Sequence, residues 1–448
     1  VLLDDGGVSV NYKQYTIILG IVLMGVILAA GCTQGATQPA GEIKIGVVAS
    51  LTGPVSNLGN GMWDSAVIAA NEVNAAGGVY VKEYGGKVNI TLIPGDDQST
   101  PAGGQTAVTK LITEDKVDAL VGGYSSAVTY AHEQIVAQYK VPYVVTGASS
   151  PTITHRTDID TSYIFHHCPT TDTYGKYTTE FIDQVIRPAI NAKFNFDAGR
   201  PLRLGIIYQD SQFGQGVYSA VNNTIHAENL NIQIVGAQSF KMAESDFHTT
   251  LTAIKAAKPD AVYVAAFTNE MVPMVTQARR DVGLNTFFLA VENNDAPAYY
   301  KGLGGYGNYS VIESRFSPYT VPTGTIADAV AAFKTPYTAR FGSPPDMMGA
   351  STYEGVRIVA QAISDAGTVD KASVQQALVN LRMPQMIEAM QNGVITFSSN
   401  YHESQFKLYM EQLVWNPTAG ETRPQIVWPE NLKAADFVVP DWYTPGSG

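Results

Sequence analysis

The sequence predicts an α/β protein made of two doubly wound, Rossmann-like parallel-sheet lobes. Three observations predict it. Short apolar runs alternate with amphipathic helical stretches from Glu42 onward, the mark of β-α units whose strands lie parallel and are covered on both faces. The alternation restarts near Leu202, so two such runs are present, each close to ordinary domain size. The chain has 448 residues, too many for one ordinary core.

Each element has its own signal. "IKIGVV" reads as a strand, and "WDSAVIAANEVNAAGG" follows as a helix. Trp63, Ala66, Val67, Ala70 and Val73 share one face of that helix, and Gly77 and Gly78 stop it. "KVNITLI" alternates as a strand, "TAVTKLITED" is helical, and "DALVGG" is a short buried strand. "AHEQIVAQYK" and "VPYVVTG" are the next helix and strand. In the second run "LRLGIIYQD", "IQIVGAQSF", "AVYVAAF" and "NTFFLAVE" are strands. "GQGVYSAVNNTIHAENL", "SDFHTTLTAIKAAKPD" and "MVPMVTQARRDVG" are the helices between them. Ser245 is the expected cap of the second, with Phe247, Leu251 and Ile254 on one stripe. Farther on, "TYEGVRIVAQAISDAG" and "KASVQQALVNL" read as helices, and "GVITFSS" with "FKLYMEQLVW" as an antiparallel pair.

Composition excludes several classes. Charged residues make up 15% and hydrophobic ones 45%, as in a packed globular protein. The net charge of −12 repels phosphate backbones, so no nucleic-acid partner is expected. Cys32 and Cys168 are the only cysteines, too few for a disulfide framework. Cys32 closes the apolar run Thr16–Ala30, which Lys13 precedes. That run is short for a membrane span and right for a signal-peptide core. Ala30 and Gly31 before the cysteine resemble a lipoprotein box, with Ala29 where Leu is usual. Residues 1–32 are therefore expected to be a signal peptide with lipidation at Cys32, or else an uncleaved anchor. The segment before Lys13 is expected to be extra start sequence, and 33–41 a flexible tether. Either way the rest lies outside the cytoplasmic membrane. Sequons at Asn89, Asn222 and Asn308 are compatible with surface glycosylation.

In open parallel sheets ligands sit beyond the carboxyl ends of strands, at helix N-termini. "GGYSS" and "VVTGASSP" are two such ends, carrying Ser125, Ser126, Ala148, Ser149 and Ser150. Hydroxyls beside free helix amides suit a small anion. With no Lys or Arg in either loop, a carboxylate fits better than a phosphate. Alternatively Ser125 or Ser126 merely caps its helix. In the second run "AAFTNE" and "LAVENND" end strands with Phe267 and Glu292. Glu292 follows an apolar strand and is expected to be partly buried, where a ligand ammonium would pair with it; alternatively it is a solvated loop acid. Phe267 and Phe213 would supply an apolar wall, or simply core. A carboxylate holder on one lobe and an ammonium holder on the other would be complementary to an amino acid.

Catalytic readings fail. "GGYSSA" lacks the glycine spacing of a nucleophile elbow. His166, His167 and Cys168 stand together without a further cluster at metal-ligand spacing, so they are read as structural. The glycines of "GLGGYGNY" do not open a helix after a strand. No enzyme activity, metal or cofactor is expected.

From about Glu42 to Val439 the chain resembles the branched-chain amino-acid-binding proteins of ABC importers, the type I periplasmic binding proteins. "IKIGVVASLTGPVSNLG", "AANEVNAAGG", "GDDQSTPAGGQTAVTKLI", "VGGYSSAVTYA", "VPYVVTGASSP", "DFHTTLTAIKAAKPDAVYV" and "TYEGVRIVAQAISDAGT" carry the resemblance. It implies two lobes joined by three crossing segments, closing on the ligand about a hinge. Lobe 1 would be 42–167 with 313–390, lobe 2 168–312 with 391–440, and 441–448 a tail. It implies ligand contacts at Ser125, Ser126, Ala148, Ser149 and Ser150, an ammonium-binding Glu292 and a closing aromatic at Phe267. The implied partners are a branched-chain or other aliphatic amino acid and the transmembrane subunits of an ABC permease. Leu58 stands where an aromatic is common, and His167 where an arginine is frequent. The family also binds amides, urea and aromatic acids, and a ligand sensor for a signalling partner would share the pocket.

Overall fold

The computed structural model describes residues 41–321 and 326–446. The expected signal peptide with Cys32, the expected tether up to residue 40 and the end of the expected tail at 447–448 lie outside the described residues. The strands are β1 (Ile43–Ala49), β2 (Val79–Val81), β3 (Gly86–Val88), β4 (Ile90–Asp96), β5 (Ala119–Gly122), β6 (Tyr143–Val145) and β7 (Ile164–His166). They continue as β8 (Leu202–Gln209), β9 (Ile232–Phe240), β10 (Ala261–Ala265), β11 (Phe287–Ala290) and β12 (Val311–Ser314). The last four are β13 (Met383–Pro384), β14 (Val394–Ile395), β15 (Tyr409–Asn416) and β16 (Glu421–Trp428).

One sheet runs β4-β1-β5-β6-β7 and is wholly parallel. The other runs β16-β15-β12-β11-β10-β8-β9, parallel from β12 to β9 and antiparallel at β15 and β16. In each, the first strand of the run lies inside the sheet, between its second and third. That reversal of order opens a crevice at the strands' carboxyl ends. The local cause is visible in β1 and β10, which are buried along nearly their whole length. A strand covered on both faces reads as a continuous apolar run. At the end of β5, Gly122 and Gly123 take φ of 114° and 81°. A Cβ on Gly122 would lie 2.2 Å from the Val48 carbonyl oxygen, so this turn needs glycine.

Helices cover both sheets: α1 (Ser56–Ala75), α2 (Pro101–Thr113), α3 (Ser126–Tyr139), α4 (Thr171–Phe181), α5 (Arg187–Lys193) and α6 (Gln212–Ala227). They are followed by α7 (His248–Ala256), α8 (Thr268–Gln277), α9 (Pro297–Leu303), α10 (Ala327–Phe341), α11 (Met347–Ala366) and α12 (Lys371–Val379). α11 is buried on most of its surface and shares one core with β1, β5 and α1. No helix among the described residues is long and apolar enough to cross a membrane.

Several expectations change. The boundary at 313 falls inside β12, which pairs with β11 and β15 and so lies wholly in the second sheet. The stretch after 391 stays beside the first sheet: His166 bridges Glu403, and its N–H donates to the His402 carbonyl at 2.8 Å. The chain thus passes between the sheets after His166, after Ser314 and just before β15. β15 pairs with β16 rather than with "GVITFSS", whose β14 pairs with β13. α7 starts at His248 behind Phe247, not at a Ser245 cap. There the buried Phe247 ring fixes the helix start, and its N–H goes to the Gln277 side chain at 2.7 Å.

Candidate functional site

The carboxyl ends of β5 and β6 face those of β8, β10 and β11 across a narrow cavity. Its lining is Tyr124, Ser126, Gly147 and Ser149 from the first half, with Tyr174, Phe213, Phe267 and Asn293 from the second. Four of the expected site residues line it: Ser126, Ser149, Phe213 and Phe267. The other four, Ser125, Ala148, Ser150 and Glu292, are not part of its lining.

Ser125 takes the N-cap position of α3 without making a side-chain cap. Ser126 Oγ accepts the Ser150 N–H at 3.2 Å, tying the two serine loops together. Ser150 Oγ is occupied by Thr152, at 2.8 Å from its hydroxyl. The Ala148 carbonyl accepts His166 Nε2 at 2.5 Å and Cys168 Sγ at 3.3 Å. Its N–H donates to the Gly123 carbonyl at 2.9 Å. Ala148 and Ser150 therefore shape the loop rather than offer their polar groups to the cavity.

Aromatic rings join the halves. Tyr124 and Phe267 have centroids 4.9 Å apart, and Phe267 stacks on Phe213 at 5.7 Å. Asn293 Nδ2 donates to the Tyr124 hydroxyl at 3.2 Å. Burial pushes the Tyr124 phenol well above its usual value, so it keeps its proton and can also donate. Phe267 stands just before α8, where its N–H meets Glu270 Oε2 at 3.0 Å.

Glu292 differs from the partly buried, unpaired acid expected of it. It is wholly buried, and its Oε1 accepts Tyr174 Oη at 2.5 Å and Arg315 Nη1. Its Oε2 is buried with no hydrogen-bond partner. Arg315 follows β12, and its Nε and Nη2 reach Glu388 Oε1 at 2.9 Å and Ser351 Oγ at 2.6 Å. Its guanidinium also lies over Phe406, 4.8 Å from the ring centroid.

His167 extends this buried network. Its Nε2 donates to Glu354 Oε2 at 2.8 Å, and its Nδ1 accepts from Ser404 Oγ at 3.0 Å. Burial lowers its pKa to about 4, which matches a neutral ring with that tautomer. Burial raises Glu354 and Glu388 to about 7 each. Residues from all three crossing segments, His167, Arg315 and Ser404, thus share one hydrogen-bonded cluster. His167, Glu354 and Glu388 also bring three ligand-type atoms within 4.8 Å of one another. Glu354 spends its Oε1 on the Ile387 and Glu388 N–H groups, and Arg315 holds Glu388 Oε1, so the cluster reads as an ion and hydrogen-bond network, with Glu388 Oε2 left without a hydrogen bond.

Tyr124, Tyr174, Asn293 and Arg315 escaped sequence reasoning. Tyr124 sat inside the quoted serine loop, and its position between two glycines and a helix start was the available signal.

The sequence profile of a family described as periplasmic binding protein matches residues 42–419. An "Amino acid binding protein" of Pseudomonas aeruginosa is 24% identical over 361 residues, covering 80% of this chain and 87% of that one. Among solved structures, the branched-chain amino acid transporter substrate binding protein LivJ of Streptococcus pneumoniae, in complex with isoleucine, superposes with TM-score 0.70. It is 23% identical, covering 87% of this chain and 100% of that one. A solute binding protein from R. palustris in complex with benzoate gives TM-score 0.68 at 18% identity, over 88% of this chain and 99% of that one.

Proposed function

We propose that this chain, which belongs to the periplasmic binding protein family, is an extracytoplasmic solute-binding protein that captures an amino acid between its two lobes. It would deliver that amino acid to the transmembrane subunits of an ABC permease. The observation that carries the ligand class is Glu292 Oε2, a carboxylate oxygen buried without a hydrogen bond. Arg315 already pairs the charge through Oε1, but a buried oxygen left without a hydrogen bond is costly, and a ligand ammonium donating to Oε2 relieves that cost. Tyr174, which holds the same carboxylate, lines the cavity on the side facing Ser126 and Ser149. Those hydroxyls, with the amides opening α3, suit the ligand's carboxylate.

The names of the relatives support this reading: one is called an amino acid binding protein, and a similar fold holds isoleucine. Binding without turnover is part of this reading, and the engagement of Glu292 by Arg315 and Tyr174 supports it. A ligand touching both lobes favours the closed arrangement by its differential affinity for it. Cys32 would carry the lipid that holds the protein at the membrane.

Calorimetric titration tests the reading with amino acids, their deaminated counterparts and benzoate. An amino acid is expected to bind about a hundredfold tighter than its deaminated counterpart, since the latter leaves Oε2 unpaired. No heat with any amino acid overturns it.

A further inference from the structure

We infer that Tyr124 sets an upper limit on ligand size, so that the site favours a small solute such as glycine or alanine over a branched-chain amino acid. This rests on the amino-acid reading for the two charged ends and goes beyond it in naming the side chain. Tyr124 comes from the first lobe and makes two contacts with the second: the Phe267 ring, 4.9 Å away, and Asn293 Nδ2 at 3.2 Å. Phe267 rests in turn on Phe213, the planes only 14° apart. The cavity these rings leave is about 10 Å³, near the least that holds one water, so any amino acid must widen it and a larger side chain must widen it further.

The two ends of a ligand and its side chain meet different surroundings. The carboxylate has the Ser126 and Ser149 end, and the ammonium has the Glu292 side. The side chain has only the ring contact, so each added carbon must part Tyr124 from Phe267. Tyr124 has little freedom to swing away. The Gly123 N–H before it donates to the Val48 carbonyl at 2.8 Å, and α3 begins two residues after it. Asn293 is pinned as well, by a second bond to the Ala266 carbonyl at 3.1 Å. A leucine or isoleucine side chain therefore parts that aromatic and hydrogen-bonded contact farther than alanine does.

Calorimetric titration of the purified protein with glycine, alanine, valine, leucine, isoleucine and acetamide tests this, alongside Tyr124→Leu and Tyr124→Phe. Alanine is expected to bind the unsubstituted protein about tenfold or more tighter than leucine, the scale of misfit for a few methylenes. Tyr124→Leu is expected to reverse or erase that ratio, and Tyr124→Phe, which keeps the bulk, to preserve the order. Leucine binding as tightly as alanine to the unsubstituted protein overturns the size limit, whether or not the variants fold. An unchanged ratio in a folded Tyr124→Leu overturns it too. Acetamide binding where no amino acid does would support the size limit while sinking the amino-acid reading. Silence from the whole panel sinks both.

Discussion

Arg315 and Glu292 form an ion pair with neither side chain exposed, so the acid at the candidate site already has a permanent counter-ion. The same guanidinium holds Glu388 at 2.9 Å. Removing it strands two buried carboxylates. Arg315→Met is expected to lower unfolding stability by about 3–5 kcal/mol, the range for breaking a buried pair from one side. Urea denaturation of the two proteins measures this.

Glu292→Gln keeps an oxygen for Tyr174 and Arg315 but loses the charge. If Oε2 receives a ligand ammonium, amino-acid affinity should fall by about 10–100-fold, the scale of a charged hydrogen bond. Affinity for a deaminated analogue should hold within a few-fold. Calorimetry on both ligands reads the difference, and equal losses would make Glu292 a structural residue only.

Stability should depend on pH through the same cluster. Burial raises Glu354 and Glu388 to about 7 each, and likewise Asp295 outside that cluster, which accepts from the Tyr300 and Ser314 hydroxyls. An acid raised by folding contributes stability that is complete below its unfolded pKa and is lost as pH climbs through about 7. His167, lowered to about 4 by burial, acts the other way: its contribution is complete above its unfolded value and is lost as pH falls through 4. The melting temperature is therefore expected to rise as pH falls from about 7.5 to about 4.5, where the raised acids outnumber His167, and to level off or fall in more acid solution. Glu354→Gln keeps an acceptor for the Ile387 and Glu388 N–H groups and should flatten the alkaline limb. Calorimetric melts across that range check both slopes.

Gly122 offers a backbone test. Its φ of 114° and a Cβ position 2.2 Å from the Val48 carbonyl exclude a side chain without movement of β1 or β5. Gly122→Ala is expected to cost about 1–3 kcal/mol or more, and to weaken ligand binding because Tyr124 and Ser126 hang from that turn. Chemical denaturation and titration of one variant give both numbers.

Much of this architecture was legible because its signals are local. β1, β5, β8, β10 and β11 are apolar runs bounded by turn residues, and burial on both faces makes such runs continuous. The strand ends were legible for the same reason, and Ser126, Ser149, Phe213 and Phe267, named from them, line the cavity. Arg315 was not. In "ESRFSP" it reads as one ordinary charge, and only the meeting of the ends of β11 and β12 with Glu388 makes it a buried ion. Tyr124 was missed because its role depends on Phe267 and Asn293, which lie far along the chain and share no sequence pattern with it. The 313 boundary failed likewise, since nothing local says which sheet a four-residue strand joins.

The placement of α11 in the core of the first sheet bears on how the protein is made. Val356, Val359 and Ile363 complete a core begun by Ile45, Val47 and Met62. A nascent chain that has released β1 to β7 still lacks the helix that covers one face of them. That lobe cannot finish folding until nearly the whole polypeptide has left the ribosome, which keeps the chain threadable through a translocation pore for most of its synthesis.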